Sequence, residues 1–338
     1  MIEYVTLDRA GALDAFVEAH PRGHIMQTSA WGRVKTDWLW QGLIYRDLRG
    51  RVRGTLALVE HRCRLPGTCL LYGPRGPIFD SEQAFRVLVN AAKELGRARG
   101  AWLLRLDPEI DEADGAFRAL VRDLGFTVDA AEDFSLFQPR LCYVKQLEGL
   151  DPETLELSWH RTARIHLRQA QRGPLSVRFG TAEDLPAFHR MMEQTAARSG
   201  FRARPLPYFE TLLAGLGDRG GLYLAEREGR PAAGAIAAFL PHTGWFLYGC
   251  SNREGRELHA NELLQWAMQR EALVRGCTSW DLRGVEGEPE ETNPHYGLHR
   301  SKQSLGGELR RWIGQCDLTL RPGVARLYRA LDALPGRR

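Results

Sequence analysis

The sequence predicts a mixed α/β protein made of two tandem copies of one unit. Three observations carry that expectation. Segments with strand period and segments with helix period alternate along the 338 residues. The order of elements in the first half recurs in the second. Short strings recur at corresponding places: Leu71-Tyr72-Gly73 matches Leu247-Tyr248-Gly249, and Ala98-Arg99-Gly100 with Leu104-Arg105 resembles Val274-Arg275-Gly276 with Leu282-Arg283. An apolar content of 43% supplies a sizeable core, and this length is comfortable for two domains.

In chain order, the pattern predicts helices over roughly residues 9–19 and 28–38, then strands near 42–45, 52–60 and 69–72. Ser81 is placed to cap a long helix to about Ala98, whose apolar positions Ala84, Phe85, Leu88, Ala91, Ala92 and Leu95 share a face. Gly100 breaks it before a buried strand at 102–106, and a helix over 112–123 ends at Gly125. The second half repeats this with strands at 231–239 and 244–248, a helix at 262–275, a break at Gly276 and a strand at 279–282. The junction falls near 138–151. A mostly antiparallel order with a long helix after the fourth strand is the layout of an acetyltransferase-like (GNAT) α+β fold. That fold grips coenzyme A through a glycine-rich loop at the helix start, where backbone N–H groups reach the phosphates. Here His259 and Asn261 stand where glycines are needed, and Arg75-Gly76-Pro77-Ile78-Phe79 also lacks the pattern. The expectation is therefore the fold without acetyl-CoA binding.

Composition excludes several classes. No apolar run approaches the ~20 residues that span a bilayer, and Met1-Ile2-Glu3-Tyr4 opens no signal peptide. Six scattered cysteines without a CxxC pair argue against zinc and disulfides and for a reducing cytoplasm. No HExxH, paired HxH or carboxylate cluster points to a metal, so no metal and no cofactor are expected. His259 and His295 have no serine or cysteine partner in a recognisable motif, and Glu286, Glu288, Glu290 and Glu291 read as a solvated loop. Only Lys35, Lys93, Lys145 and Lys302 among 46 basic residues are lysine. A lysine kept in an arginine background offers a compact point charge that the planar guanidinium does not. Net charge is only +4, but no acidic residue lies between Trp159 and Phe179. Arg161, Arg164, Arg168 and Arg172 recur there at helical spacing, a stripe suited to a phosphate backbone and equally readable as a solvated face.

Seven marks in order make the chain resemble the Fem family of peptidoglycan-bridge aminoacyltransferases, almost end to end. They are Gln27-Thr28-Ser29-Ala30-Trp31-Gly32-Arg33-Val34-Lys35; Tyr72-Gly73-Pro74-Arg75-Gly76-Pro77; His160-Arg161-Thr162-Ala163-Arg164 leading to Ala170; Arg204 with Tyr208; Tyr248-Gly249-Cys250-Ser251; Asp281-Leu282-Arg283-Gly284; and Lys302 with Gly306-Gly307-Glu308. The resemblance implies two acetyltransferase-like domains, 1–145 plus 318–338 and 146–317, with a last helix at 323–334 returning to the first. The absence of a heptad run places the chain with the FemX type, which lacks a coiled-coil arm. It implies transfer of an amino acid from aminoacyl-tRNA to the stem peptide of a cell-wall precursor, either UDP-MurNAc-pentapeptide or lipid II, in the cytoplasm, with peripheral membrane contact through lipid II. An acyl-CoA-dependent N-acyltransferase and a non-catalytic precursor- or tRNA-binding protein are the alternatives.

The resemblance also implies roles. Lys35 meets the precursor's diphosphate, and Arg204 and Tyr208, one helical turn apart, face the same diphosphate-sugar end. Trp31 lies one turn before Lys35, more readily packing than ligand. Arg75, on a proline-flanked turn, binds an anion or braces the turn. Asp107 orients the acceptor amine or takes its proton. Lys302 stabilises the tetrahedral oxyanion or holds the tRNA 3′ end, and Tyr248 adds a donor or orients the stem peptide. The basic stripe Arg161, Arg164, Arg168 and Arg172 approaches the acceptor arm.

Overall fold

The computed structural model describes residues 1–63 and 65–332. They pack as two compact units, Met1–Arg140 with Arg311–Arg338, and Leu141–Arg310. In chain order the first unit begins with β1 (Ile2–Val5), α1 (Gly11–Ala19), α2 (Ser29–Val34), β2 (Leu39–Arg46), β3 (Val52–Arg62), β4 (Cys69–Gly73), β5 (Ile78–Phe79), α3 (Glu82–Arg99), β6 (Ala101–Leu106), α4 (Gly115–Asp123) and β7 (Thr127–Asp129). The second unit runs β8 (Leu141–Gln146), α5 (Arg161–Arg172), β9 (Ser176–Gly180), α6 (Leu185–Ser199), α7 (Leu206–Leu216), β10 (Gly220–Arg227), β11 (Arg230–Phe239), β12 (Thr243–Ser251), α8 (Arg253–Glu257), α9 (Ala260–Val274), β13 (Ser279–Val285), α10 (Tyr296–Ser304) and β14 (Glu308–Arg311). β15 (Gln315–Thr319) and α11 (Pro322–Asp332) complete the first unit.

Each unit holds one sheet. The first runs β1-β2-β3-β4-β6-β15-β7, with β5 against β3; the second runs β14-β8-β13-β12-β11-β10-β9. In each, one parallel pair (β4 with β6, β12 with β13) interrupts an otherwise antiparallel order, and the long helix α3 or α9 makes the crossover. The sheets superpose strand for strand in topology, as the repeated strings anticipate. Their cores follow the apolar periodicity: Phe85, Leu88 and Val89 of α3 pack with Leu56, Leu58 and Leu104, and Leu264 and Met268 of α9 pack with Ala235 and Trp280. Ser81 caps α3 by accepting from the Ala84 amide, and Gly100 ends it at φ 74, a conformation open to glycine without steric penalty.

Three expectations shift. The two compact units change over at 140/141 and 310/311. β8 follows the first unit in sequence yet pairs with β13, and β15 follows the second yet pairs with β6. Those two strands hold equivalent positions in the two sheets, so the chain exchanges them. The helix expected over 28–38 stops at Val34, with Lys35 as its C-cap at ψ 56. The strands β9 and β10 have no counterpart among the expected elements. The last helix, expected over 323–334, is described to Asp332; residues 333–334 lie outside the described residues. Its Tyr328 ring stacks on Trp102 at 5.0 Å, and its hydroxyl accepts from the Leu65 amide.

Candidate active site

In the first unit the chain turns between β4 and β5 through Pro74-Arg75-Gly76-Pro77, with Arg75 in the left-handed region at φ 56. Asp107, at the end of β6, holds that turn: one carboxylate oxygen accepts from the Tyr72 hydroxyl at 2.5 Å, the other from the Arg75 amide at 2.6 Å. The pair is buried, and burial raises both the Asp107 carboxyl and, together with the adjacent Asp107, the Tyr72 hydroxyl. Both oxygens of Asp107 are thus engaged by its own turn. Asp107 thereby braces the turn. Arg75 holds the same turn. Its guanidinium is buried, donates to the Pro139 carbonyl at 2.8 Å and lies 3.3 Å from the Glu109 carboxylate, so it braces the turn from within.

The opening motif gains a second function for Gln27, which the sequence reading passed over. β3 pairs with β5 at residues 54–55 and with β4 from 59 onward. Gln27 fills the gap between them. Its side-chain amide donates to the carbonyls of Ala57 (3.1 Å) and Pro74 (2.7 Å) and accepts from the Ala57 amide at 2.9 Å. Gly76 is required beside it, because a Cβ there would lie 2.3–2.4 Å from the Gln27 amide. Lys35 sits half-buried at the helix end with its ammonium 5.4 Å from the Trp31 ring, a cation–π distance; Trp31 itself is buried, as a packing residue is.

In the second unit, Lys302 and Tyr208 adjoin Arg283, and Tyr248 and Arg204 adjoin Tyr208. The Lys302 ammonium, buried at 7% exposure, donates to the carbonyls of Arg283 (2.9 Å) and Gly284 (2.7 Å), and burial pushes it down to about 8. Arg283 adopts φ 68 at an irregularity of β13, its amide donating 2.5 Å to buried Asp281. The Arg283 charge, with that of Arg204, partly offsets the burial that raises the Tyr208 hydroxyl. The Tyr248 hydroxyl donates to Tyr208 at 3.1 Å, and Arg204 lies 5.4 Å over the Tyr208 ring. Arg204 is not on the helix with Tyr208, as its spacing implied: Pro205 is the N-cap of α7, so Arg204 precedes it and reaches back. Arg283 and Asp281 were legible only as part of a motif; the positive φ marks the position.

The four-arginine stripe lies on α5, whose Ala163, Leu167 and Ala170 face the core. Arg161, Arg168 and Arg172 are exposed and Arg164 is half-buried. Lys145 of β8, one of two lysines given no role, is buried: its ammonium donates to Ser158 at 2.6 Å and burial pushes it down to about 7. Gly306, at φ 84, makes room for it, since a Cβ would lie 3.3 Å from that ammonium.

These lysines give stability an unusual pH dependence. A folded-state lysine held near 7 or 8 releases its proton before the unfolded one near 10.5, so stability rises with pH across that interval. Buried Cys69 and Cys277 (pushed up to about 11) and Cys250 and Cys316 (about 12) act oppositely above pH 9, where the unfolded thiols ionise first. We expect urea stability to climb from pH 7, peak near 9 and fall beyond. A flat or falling profile between 7 and 9 would contradict the lysine environments.

The FemAB family model matches residues 10–230 and 227–333. The chain belongs to the FemAB family. A lipid II:glycine glycyltransferase of Staphylococcus aureus (strain USA300) is 26% identical over 387 aligned residues, covering 91% of this chain and 90% of its own. The FemX crystal structure superposes with TM-score 0.88 at 23% identity, covering 97% of this chain and 99% of that one. A tandem GNAT protein from clavulanic acid biosynthesis reaches 0.54 at 14% identity, covering 95% and 99%. The two-sheet architecture is therefore the tandem GNAT-like fold. The chain is a FemAB aminoacyl-tRNA-dependent transferase of peptidoglycan bridge synthesis. Among the described residues no helix of this FemAB protein is long and apolar enough to cross a membrane.

Proposed function

We propose that this FemAB protein moves an amino acid from aminoacyl-tRNA onto the side-chain amine of the stem peptide of UDP-MurNAc-pentapeptide or lipid II, in the cytoplasm, starting the interpeptide bridge. The observation that carries this reading is the cluster of Lys302, Arg283, Tyr208 and Tyr248 in the second unit. In the reaction the amine attacks the ester carbonyl. The peptide C–N bond forms, the ester C–O bond breaks, and the ribose hydroxyl leaves with the proton. A lysine-type amine has pKa ~10.4, so about one in 10³ is unprotonated at neutral pH, and proton removal and oxyanion stabilisation are the two demands.

Lys302 meets the second demand. Two of its donors are held by carbonyls, which aims the ammonium while the third donor serves the oxyanion. Tyr248 is the adjoining donor. Lys35 binds the precursor's diphosphate, as do Arg204 and Tyr208. Trp31 supports Lys35, and Asp107 with Arg75 fixes the turn after β4. Arg161, Arg164, Arg168 and Arg172 meet the tRNA phosphates.

An end-point mass-spectrometric assay tests the reading. Protein is incubated with UDP-MurNAc-pentapeptide or lipid II, total tRNA, amino acids and synthetases, with a ribonuclease-treated control. A ribonuclease-sensitive gain of one amino-acid residue is expected and names the residue. No gain on either acceptor, together with a thermal shift by acyl-CoA, would replace this reading by a coenzyme-A-dependent one. Reversing Arg164 and Arg168 to glutamate should raise the apparent tRNA KM about tenfold and flatten its salt dependence, because each lost phosphate contact removes its share of counterion release. Unchanged kinetics would take the stripe out of the tRNA site.

A further inference from the structure

We infer that His166, His259 and Glu262 form a zinc-class divalent cation site in the second unit. The three come from two helices: His166 from α5, and His259 at the N-cap and Glu262 in the first turn of α9. One ligand atom from each lies within 4.8 Å of the others. The His166 Nδ1 is 3.0 Å from a Glu262 carboxylate oxygen. Two ligands of one tetrahedral ion with bonds of 2.0–2.1 Å stand roughly 3.3 Å apart, so this pair needs little adjustment. The His166 and His259 rings stack, parallel to within 9° with centroids 4.0 Å apart; an imidazole binds a metal in its own ring plane, so one ring turns out of the stack when the ion enters.

Two further observations favour a ligand over a simple ion pair. His259 is held at φ 56, where a side chain is strained and glycine is not; strain of that kind persists where a side chain is needed in one place. His166 and Glu262 also line a cavity of about 480 Å³ with Thr162, Gly297 and Arg300. Two histidines and one carboxylate, of which His166 and Glu262 line the cavity, are a donor set for zinc with a position left for water or an oxyanion. His166 lies 93 and 96 positions before His259 and Glu262, which are three apart, so sequence spacing alone does not bring the three together.

Titration calorimetry with zinc chloride on the full chain tests the site, beside His259→Gly and Glu262→Gln. Glycine suits φ 56, so the first variant should keep or raise the metal-free Tm; glutamine keeps a hydrogen bond to His166 while removing the anionic ligand. One zinc per chain is expected, with Kd on the order of 1 μM, weakened at least about 30-fold in both variants. Zinc should raise the wild-type Tm by about 5 °C and leave the variants unmoved. No binding at 100-fold that concentration, or equal binding in both variants, would overturn the site.

Discussion

Replacing Lys302 with methionine is expected to lower kcat by about 10²–10³-fold, the range for removing one oxyanion donor. The substitution preserves length and apolar volume, so what is lost is the charge and its donors. The carbonyls of Arg283 and Gly284 lose their partner, and each buried acceptor left unmade costs about 1–3 kcal/mol. Removal of a buried charge offsets part of that. Stability should therefore change by no more than a few kcal/mol while rate collapses. The two effects separate in measurement: saturating-substrate kcat against urea unfolding on the same preparation. Burial holds Lys302 near 8, so wild-type kcat should also carry a falling limb near pH 8 as the ammonium is lost, and the variant should lack it. A variant with wild-type kcat would remove Lys302 from the chemistry and leave it a strap between α10 and β13.

The second large effect is structural. Gln27→Ala is expected to destabilise the protein by about 4 kcal/mol. Two carbonyls and one amide lose their partners, at about 1–3 kcal/mol for each group that stays dry, and a cavity opens beside the turn. Gly76→Ala should reproduce part of this loss through the clash of its Cβ with the same amide. Because Gln27 carries the Pro74–Pro77 turn that Asp107 also holds, the loss should appear as a lower denaturant midpoint with an unchanged slope. A cost under about 1 kcal/mol would show that water replaces the amide at that gap.

Much of this was present in the sequence, because its signals are local. The Ser81 cap, the apolar stripe of α3 and the Gly100 break specify that helix from neighbours three and four residues apart. The duplicated strings announced two units of one topology. The seven ordered marks pointed to the FemAB family, which the comparisons show. The scarcity of lysine drew attention to Lys35 and Lys302; the second is buried and the first half-buried.

What the tertiary structure decided is what depends on partners far away in the chain. No expected element covered 141–146 or 315–319, and only the hydrogen-bond ladders assign β8 to the second sheet and β15 to the first. A motif names Arg75 and Asp107 without telling a ligand from a brace. Packing adds what the motif lacks: a charged group removed from water is tolerated only with its hydrogen bonds made, and here the turn itself makes them. Arg283 and the His166–His259–Glu262 cluster follow the same rule: spacing along a chain fixes faces, and only packing fixes which faces meet.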